Sequence, residues 1–425
     1  MPSRLTTATA ATGLSAFALL YAPQPVLPQL AAEFGRTPGQ ASLAVSAATG
    51  ALALAIVPVA SLANRVGRRN VIVCSVLAAS VLGLLLPLAP TFEVLLVGRV
   101  FQGLATAGVP AVAMAFLVDQ LGGAAVGAAV GALIAGNTAG GMVGRLLSGV
   151  GADWLDWRGA LALTAGFSLV CAVLAAFLLP AETTRPGATG GGLRAALTDR
   201  VLLCQYAVAV LAVAAFISLF NVIAFRLTGP PLDLPAGVAS LVFLAYAVGG
   251  VCSAVAGRLA DRHGRAPVAI AALAVTAAGA ATTLVTDVVA IAVGLALFTG
   301  GFFAAHAVAS GWVGVRAPRR ARGQAAGVYL FAFYVGSSAG GTAGSTAYGH
   351  WGWPGLIAVV LGWLALAVAA VLVAQKSSGT AAEPPAIVTE PWIGSRTEPD
   401  RTTNVTERTS GGTSTTSAVG KVSPP

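Results

Sequence analysis

Three side chains able to hold or move charge sit inside otherwise apolar stretches of the chain: Arg99, Arg145 and His306. A charged group at bilayer depth is costly and is usually kept for a task, so each is a candidate for chemistry. A guanidinium away from water can grip the carboxylate of a solute, or be spent on backbone carbonyls. Histidine, with an ordinary pKa of about 6.5, can take up and release a proton, or serve as a hydrogen-bonded packing residue. Arg99 follows Glu93 by six positions, which places it about 9 Å along a helix. Arg145 lies nearer the end of its run, where Asp153 or Asp156 is close enough to pair with it and where snorkelling to the interface is equally open. Tyr21, Gln24, Asn137, Asn221, Tyr246, Tyr329 and Tyr334 add hydroxyls and amides suited to a neutral, hydroxyl-rich solute such as a sugar. The same groups can instead bond a neighbouring helix or sit at the membrane interface.

The absences carry weight too. All fifteen acidic residues fall in turns, at the ends of apolar runs or in the C-terminal tail, so no carboxylate is centrally placed to trade a proton for a cationic drug. His306, Glu33 and Glu93 remain as proton carriers. Cys74, Cys171, Cys204 and Cys252 each stand alone, giving neither metal spacing nor a disulfide framework. No nucleotide-binding loop or nucleophile constellation is present, which argues against an enzyme and implies no cofactor and no metal.

The elements that must position these residues follow from composition. Of 425 residues, 56% are hydrophobic and only 9% charged, against about a quarter charged in a soluble domain. Apolar runs near the ~20 residues needed to cross a bilayer recur twelve times, at 9–30, 42–63, 71–89, 92–117, 124–149, 157–179, 201–226, 236–256, 266–286, 288–315, 323–348 and 352–374. They must be helices, because a lipid-exposed backbone has to satisfy its own hydrogen bonds. With both termini inside, fifteen basic residues collect in the cytoplasmic turns and three on the opposite side, which sets the orientation. The net charge of +9 is therefore read as topology, not as a nucleic-acid surface. The expected layout is an all-α membrane protein with six spans in 1–180, a cytoplasmic linker at 181–200, six more spans in 201–376, and a disordered cytoplasmic tail at 377–425.

The linker divides an internal repeat. "GRLADRHGRAP" at 257–267 is echoed by "ASLANRVGRRN" at 60–70, 197 positions earlier, with Asn64 where the later copy has Asp261. Glycine permits the sharp reversal and the arginines stay with water and headgroups. This turn resembles the signature of the major facilitator superfamily. "LLVGRVFQGLATAG" is similar to that family's Arg-x-x-Gln-Gly helix, supplying Arg99, Gln102 and Gly103, and "GNTAGGMVGRLLSG" resembles its glycine-rich antiporter helix, with Asn137 where many antiporters have proline. "YAPQPVLPQL" and "YVGSSAGGTAG" look most like the YnfM-like branch of bacterial sugar and drug efflux permeases.

The resemblance implies twelve transmembrane helices in two pseudo-symmetric six-helix bundles in the inner membrane, a small-molecule substrate, protons as coupling ions and a monomer. It makes Arg99 a substrate or proton-coupling residue with Gln102 beside it. It assigns gating to Asn64, Arg65, Gly67 and Arg68 and to Gly257, Asp261, Arg262, Gly264 and Arg265, with Asp261 lying against the start of the fifth span near Gly123 and Ala124. An uncharged Asn64 then weakens one side of a two-sided latch. Glycines spaced by four at 136, 140 and 144 and at 336, 340 and 344 are expected to let the halves pivot. The implied activity is proton-coupled export of a sugar-like or drug-like solute by alternating access. The alternatives are uptake or proton symport of an organic anion, favoured by Arg99 and Arg145, and a transport-silent sensor or assembly protein.

Overall fold

The protein's structure is a computed structural model that describes residues 2–121, 124–182 and 192–379. Residues 183–191 of the linker, the tail from 380 onward, and Gly123 lie outside the described residues. Among the described residues, ten apolar helical segments are long enough to cross a membrane: Arg4–Phe34, Pro38–Val66, Arg68–Leu88, Phe92–Gln120, Val126–Leu178, Arg200–Thr228, Ala236–His263, Arg265–Thr282, Val288–Arg316 and Arg319–Ser378. Two of these are twice the usual length and double back, one at Asp156 (φ 55°) and the other at Gly352 (φ 64°), which brings the crossings to the expected twelve. They are called spans one to twelve below, with span five at 126–155, span six at 157–178, span eleven at 319–351 and span twelve at 353–378.

The two hairpin turns show how a short sequence sets a fold. Asp156 tolerates a positive φ because its carboxylate caps the helix that follows, accepting from the amides of Arg158 (2.6 Å) and Gly159 (3.1 Å). At the matching turn Gly352 adopts the positive φ without a Cβ penalty, and Pro354 starts the last helix, where a missing amide costs nothing. Each turn exposes one tryptophan, Trp154 or Trp351, and buries the next, Trp157 or Trp353. An arginine lies over each buried ring, Arg158 at 4.3 Å and Arg226 at 4.6 Å from the centroid.

Span one runs past its expected end to Phe34. Pro23, Pro25 and Pro28 do not stop it but convert residues Gln24–Val26 to a tight 3-10 turn, after which the helix resumes. The charged motifs also prove more helical than a turn reading implies. Residues 257–263 form the last two turns of span eight, and the reversal is made by Gly264 alone, at φ 87°. Asn64 and Arg65 likewise close span two, and Gly67 makes the bend at φ 93°. Basic residues at these C-terminal ends complement the helix dipole.

The glycine stripes require a correction. They pack helices within each set of six spans and do not lie between the sets. A Cβ at Gly136, Gly140 or Gly144 would fall 2.4, 2.6 or 2.2 Å from the carbonyl oxygens of Ala10, Leu14 and Ala18 on span one. Gly336, Gly340 and Gly344 pack as closely on span seven, where a Cβ would fall 2.5 Å from Val210 O, 2.2 Å from the Cβ of Ala214 and 2.3 Å from the Cβ of Ser218. Backbone-to-backbone approach of this kind substitutes for the hydrophobic effect, which does not draw helices together in lipid.

Candidate functional site

The Arg-x-x-Gln-Gly motif builds a four-helix node. Prolines cannot donate, so the carbonyls of Leu19 and Tyr21 lose their ordinary partners at Pro23 and Pro25, and the amide of Gln24 turns to Tyr21 instead of Leu20. Arg99, 1% exposed, supplies donors in their place, Nη1 to Leu19 O (3.2 Å) and Nη2 to Leu20 O (2.6 Å), and adds a bond from Nε to Ala44 O on span two (2.5 Å). It also bonds Gln102, whose amide nitrogen donates to Ala79 O on span three at 3.0 Å. Gly103 permits this closeness, since a Cβ there would be 2.1 Å from Ala48 O. Both Arg99 and Gln102 thus face backbone from spans one to three.

Arg145 sits elsewhere than the aspartate-pairing and snorkelling readings placed it. It neither snorkels nor pairs with an aspartate. Asp153 accepts from the amide of Gly237 at the start of span eight (2.9 Å), and Asp156 caps its own turn. The guanidinium, 1% exposed, instead projects into the contact between spans one, five and eight. Its Nε donates to Gln24 Oε1 and its Nη1 to Gly141 O, both at 2.5 Å. The rings of Tyr246, Tyr21 and Phe243 lie 4.5, 4.6 and 5.3 Å from its central carbon. Gln24 in turn donates to Asn221 Oδ1 on span seven at 2.7 Å, and the Tyr21 hydroxyl lies 3.4 Å from Ser337 Oγ on span eleven. One helical turn before Ser337, buried Tyr334 faces Phe333 at 5.3 Å. Four of the residues singled out by type, Tyr21, Gln24, Asn221 and Tyr246, therefore gather around one guanidinium that sequence reasoning had set at the membrane edge. The signal that could have found it is the four-residue step from Gly141, which puts Arg145 on the helix face beside the glycine stripe.

The other candidates are dispersed. His306 on span ten shares a hydrogen bond with the Tyr329 hydroxyl at 3.0 Å and lies between Phe302 and Phe333, 6.0 and 5.1 Å away. Asn137 packs against Gly13, and its Oδ1 is buried with no hydrogen-bond partner among the described residues. Glu33 is held by Arg158 and the Trp157 indole, and Glu93 by Arg36.

At the ends carrying the charged motifs, Arg68 pairs with Asp119, donates its amide to Glu182 (2.8 Å) and its guanidinium to Ala115 O (3.2 Å). Asn64, Arg65, Asp261 and Arg262 are exposed, and Asp261 makes no ion pair among the described residues. Gly123 and the side chain of Ala124, the expected partners of Asp261, lie outside the described residues.

Contacts between spans one to six and spans seven to twelve gather toward the opposite ends. Ser338 and Thr342 of span eleven donate to the carbonyl and hydroxyl of Ser46 on span two at 2.8 and 2.7 Å. Gly39 abuts Thr346, Gly149 abuts Ser240, and Asp153 holds the start of span eight.

Twelve crossing helices of this kind, tied by paired one–five and seven–eleven contacts around a central polar cluster, define a polytopic membrane transporter. The chain belongs to the Major Facilitator Superfamily, whose profile matches residues 9–234 and 202–407. It is 36% identical over 371 residues to the Bacillus subtilis protein described as an uncharacterized MFS-type transporter, YybF, covering 86% of this chain and 92% of that one. It is 38% identical over 371 residues to the Escherichia coli inner membrane transport protein YnfM, covering 86% and 89%. Among solved structures it resembles a bacterial homologue of the human lysosomal transporter Spinster in an inward-facing, unoccupied conformation, with TM-score 0.77 and 16% identity over 91% of this chain and 99% of that one. A mutant of the nucleoside transporter NupG matches with TM-score 0.72 and 13% identity over 88% and 99%. At such identities the two structures speak for the fold.

Proposed function

We propose that the protein is a secondary active transporter of the inner membrane, with both termini cytoplasmic, that exports a small polar organic solute in exchange for protons by alternating access. Two six-span halves, 1–180 and 201–376, are joined by the linker at 181–200 and rock about the cluster of Tyr21, Gln24, Arg145, Asn221 and Tyr246. One observation carries the reading: the bonds between halves crowd the side away from the termini, while Asn64, Arg65, Asp261 and Arg262 at the terminal side face open space. That asymmetry is what a cytoplasm-open state looks like. The pair of His306 and Tyr329 is the proton carrier in this scheme, because the rim carboxylates Glu33 and Glu93 are occupied by arginines.

The closed outer contact offers the test. A Cβ built on Gly50 lies 3.5 Å from the Cβ of Ser338, within the span of a disulfide. Oxidised Gly50→Cys/Ser338→Cys protein in proteoliposomes should lose counterflow and regain it on reduction. Full cross-linking with wild-type flux would remove the alternating-access account.

A further inference from the structure

Arg145 carries a feature that packing alone does not explain. Its Nη2 is buried and has no hydrogen-bond partner among the described residues, although the same side chain spends Nε and Nη1 on good ones. A second orphan follows from the first. Because guanidinium only donates, Gln24 must turn its oxygen toward Arg145; its nitrogen must then face Asn221, which can meet it only with Oδ1. That ordering leaves Asn221 Nδ2 unpaired and buried, beside Gly341. The orientation of both amides is thus dictated by the arginine. This cluster ends in two unsatisfied donor groups and one positive charge, with no carboxylate among the described residues to answer them. Asp153, the nearest acid along span five, is eight residues away, about 12 Å of helix, and is engaged at Gly237.

A buried charge without a partner is strongly disfavoured, and the three aromatic faces around this one offset only part of the cost. The rest must come from whatever occupies the site. Beyond Tyr246 lies an aromatic cluster, with Phe220, Phe216 and Phe303 at ring separations of 5.4, 5.6 and 5.7 Å from that tyrosine. Donors at one end and aromatic rings at the other fit a particular kind of molecule.

We infer that Arg145 and Asn221 form the subsite for the carboxylate of the transported solute, and that this solute is a monocarboxylate with an aromatic or comparably apolar body. The inference rests on the transport reading above and narrows its substrate from polar solutes in general to organic anions. Arg145 Nη2 and Asn221 Nδ2 each donate to the carboxylate; Gln24 holds the two in register; Tyr21, Phe243 and Tyr246 flank the charge.

The test uses the full chain in lipid nanodiscs with benzoate and phenylacetate as probes and benzamide as the neutral isostere of the first, read by calorimetry. Benzoate or phenylacetate should bind at least about tenfold more tightly than benzamide, the factor expected for hydrogen bonds to a charged group. Arg145→Gln should abolish that preference. Should Arg145→Gln fail to fold, Gln24→Glu serves: it places an internal carboxylate on Nε, so it should raise the melting temperature and remove carboxylate binding. Equal affinity for benzoate and benzamide, no binding of either acid, or carboxylate binding that persists in Gln24→Glu would each overturn the inference. Counterflow separates this result from the transport reading. Arg145-dependent binding without flux upholds the subsite and sinks the transporter, whereas flux of a neutral solute at wild-type rate in Gln24→Glu does the reverse.

Discussion

Arg99→Leu distinguishes an arginine that serves the fold from one that serves a ligand. In the structure its guanidinium answers Leu19 O and Leu20 O, which the prolines of span one leave without their usual donors; the sole backbone amide near Leu19 O is that of Ala22, at 3.4 Å. Leucine would strip both carbonyls of their strong partners inside the bilayer. At about 1–3 kcal/mol for each buried group left unsatisfied, the loss is about 2–6 kcal/mol, before counting the bond to Ala44. Against a total stability of about 5–15 kcal/mol this is large. The variant should melt at least about 5 °C below the wild type in detergent, followed by intrinsic tryptophan fluorescence. Arg99→Lys, one donor head in place of a planar fork, should fall between them. If Arg99→Leu melts with the wild type and yet loses counterflow, the node is not what Arg99 is for, and the family-based role in substrate or proton handling takes its place.

Two further outcomes follow from particular contacts. Gly340→Val should disrupt the seven–eleven pair, because a Cβ there lies 2.2 Å from that of Ala214 and 2.4 Å from its Cα; Gly362, with nothing within 4 Å, should accept the same change with its melting temperature nearly unmoved. Asp199 lies outside the spans, caps span seven through the Leu202 amide (3.0 Å) and pairs with Arg316 at 2.8 Å. Partial burial pushes its carboxyl up, but the Arg316 guanidinium and the Leu202 and Val201 amides outweigh this and hold it below the ordinary carboxylate value. A lowered folded pKa means the contribution is present above the unfolded value of about 3.9 and is lost as pH falls through the folded one. Asp199→Ala should therefore cost about 1–2 kcal/mol near neutral pH, with the gap to wild type closing below about pH 4; Asp199→Asn, which keeps the cap, should cost about 0.2–1 kcal/mol. Chemical denaturation across pH checks both.

Much of the architecture was written in one dimension. Twelve crossings follow from the length of apolar runs, and the family from three motifs, because hydropathy and glycine spacing are local properties that lipid enforces segment by segment. The two hairpin turns show the limit of the same signal, since span boundaries at Asp156 and Gly352 are visible only as a charge or a glycine between runs that never lose their helical form. Residue type also singled out Tyr21, Gln24, Asn221 and Tyr246, which the fold gathers around Arg145.

What tertiary structure decided is which arginine is which. By sequence, Arg99 and Arg145 are both single cations in apolar helices, each beside glycine. The fold gives Arg99 a set of backbone carbonyls left open by prolines about 75 residues away, and gives Arg145 one amide, one carbonyl, three aromatic rings and a nitrogen with nothing to hold among the described residues. The glycine stripes were likewise visible in advance, yet their partners, spans one and seven, were not. Spacing along a helix determines which residues share a face; what that face meets depends on helices brought alongside from distant parts of the chain, and hydrogen-bond satisfaction is settled only there.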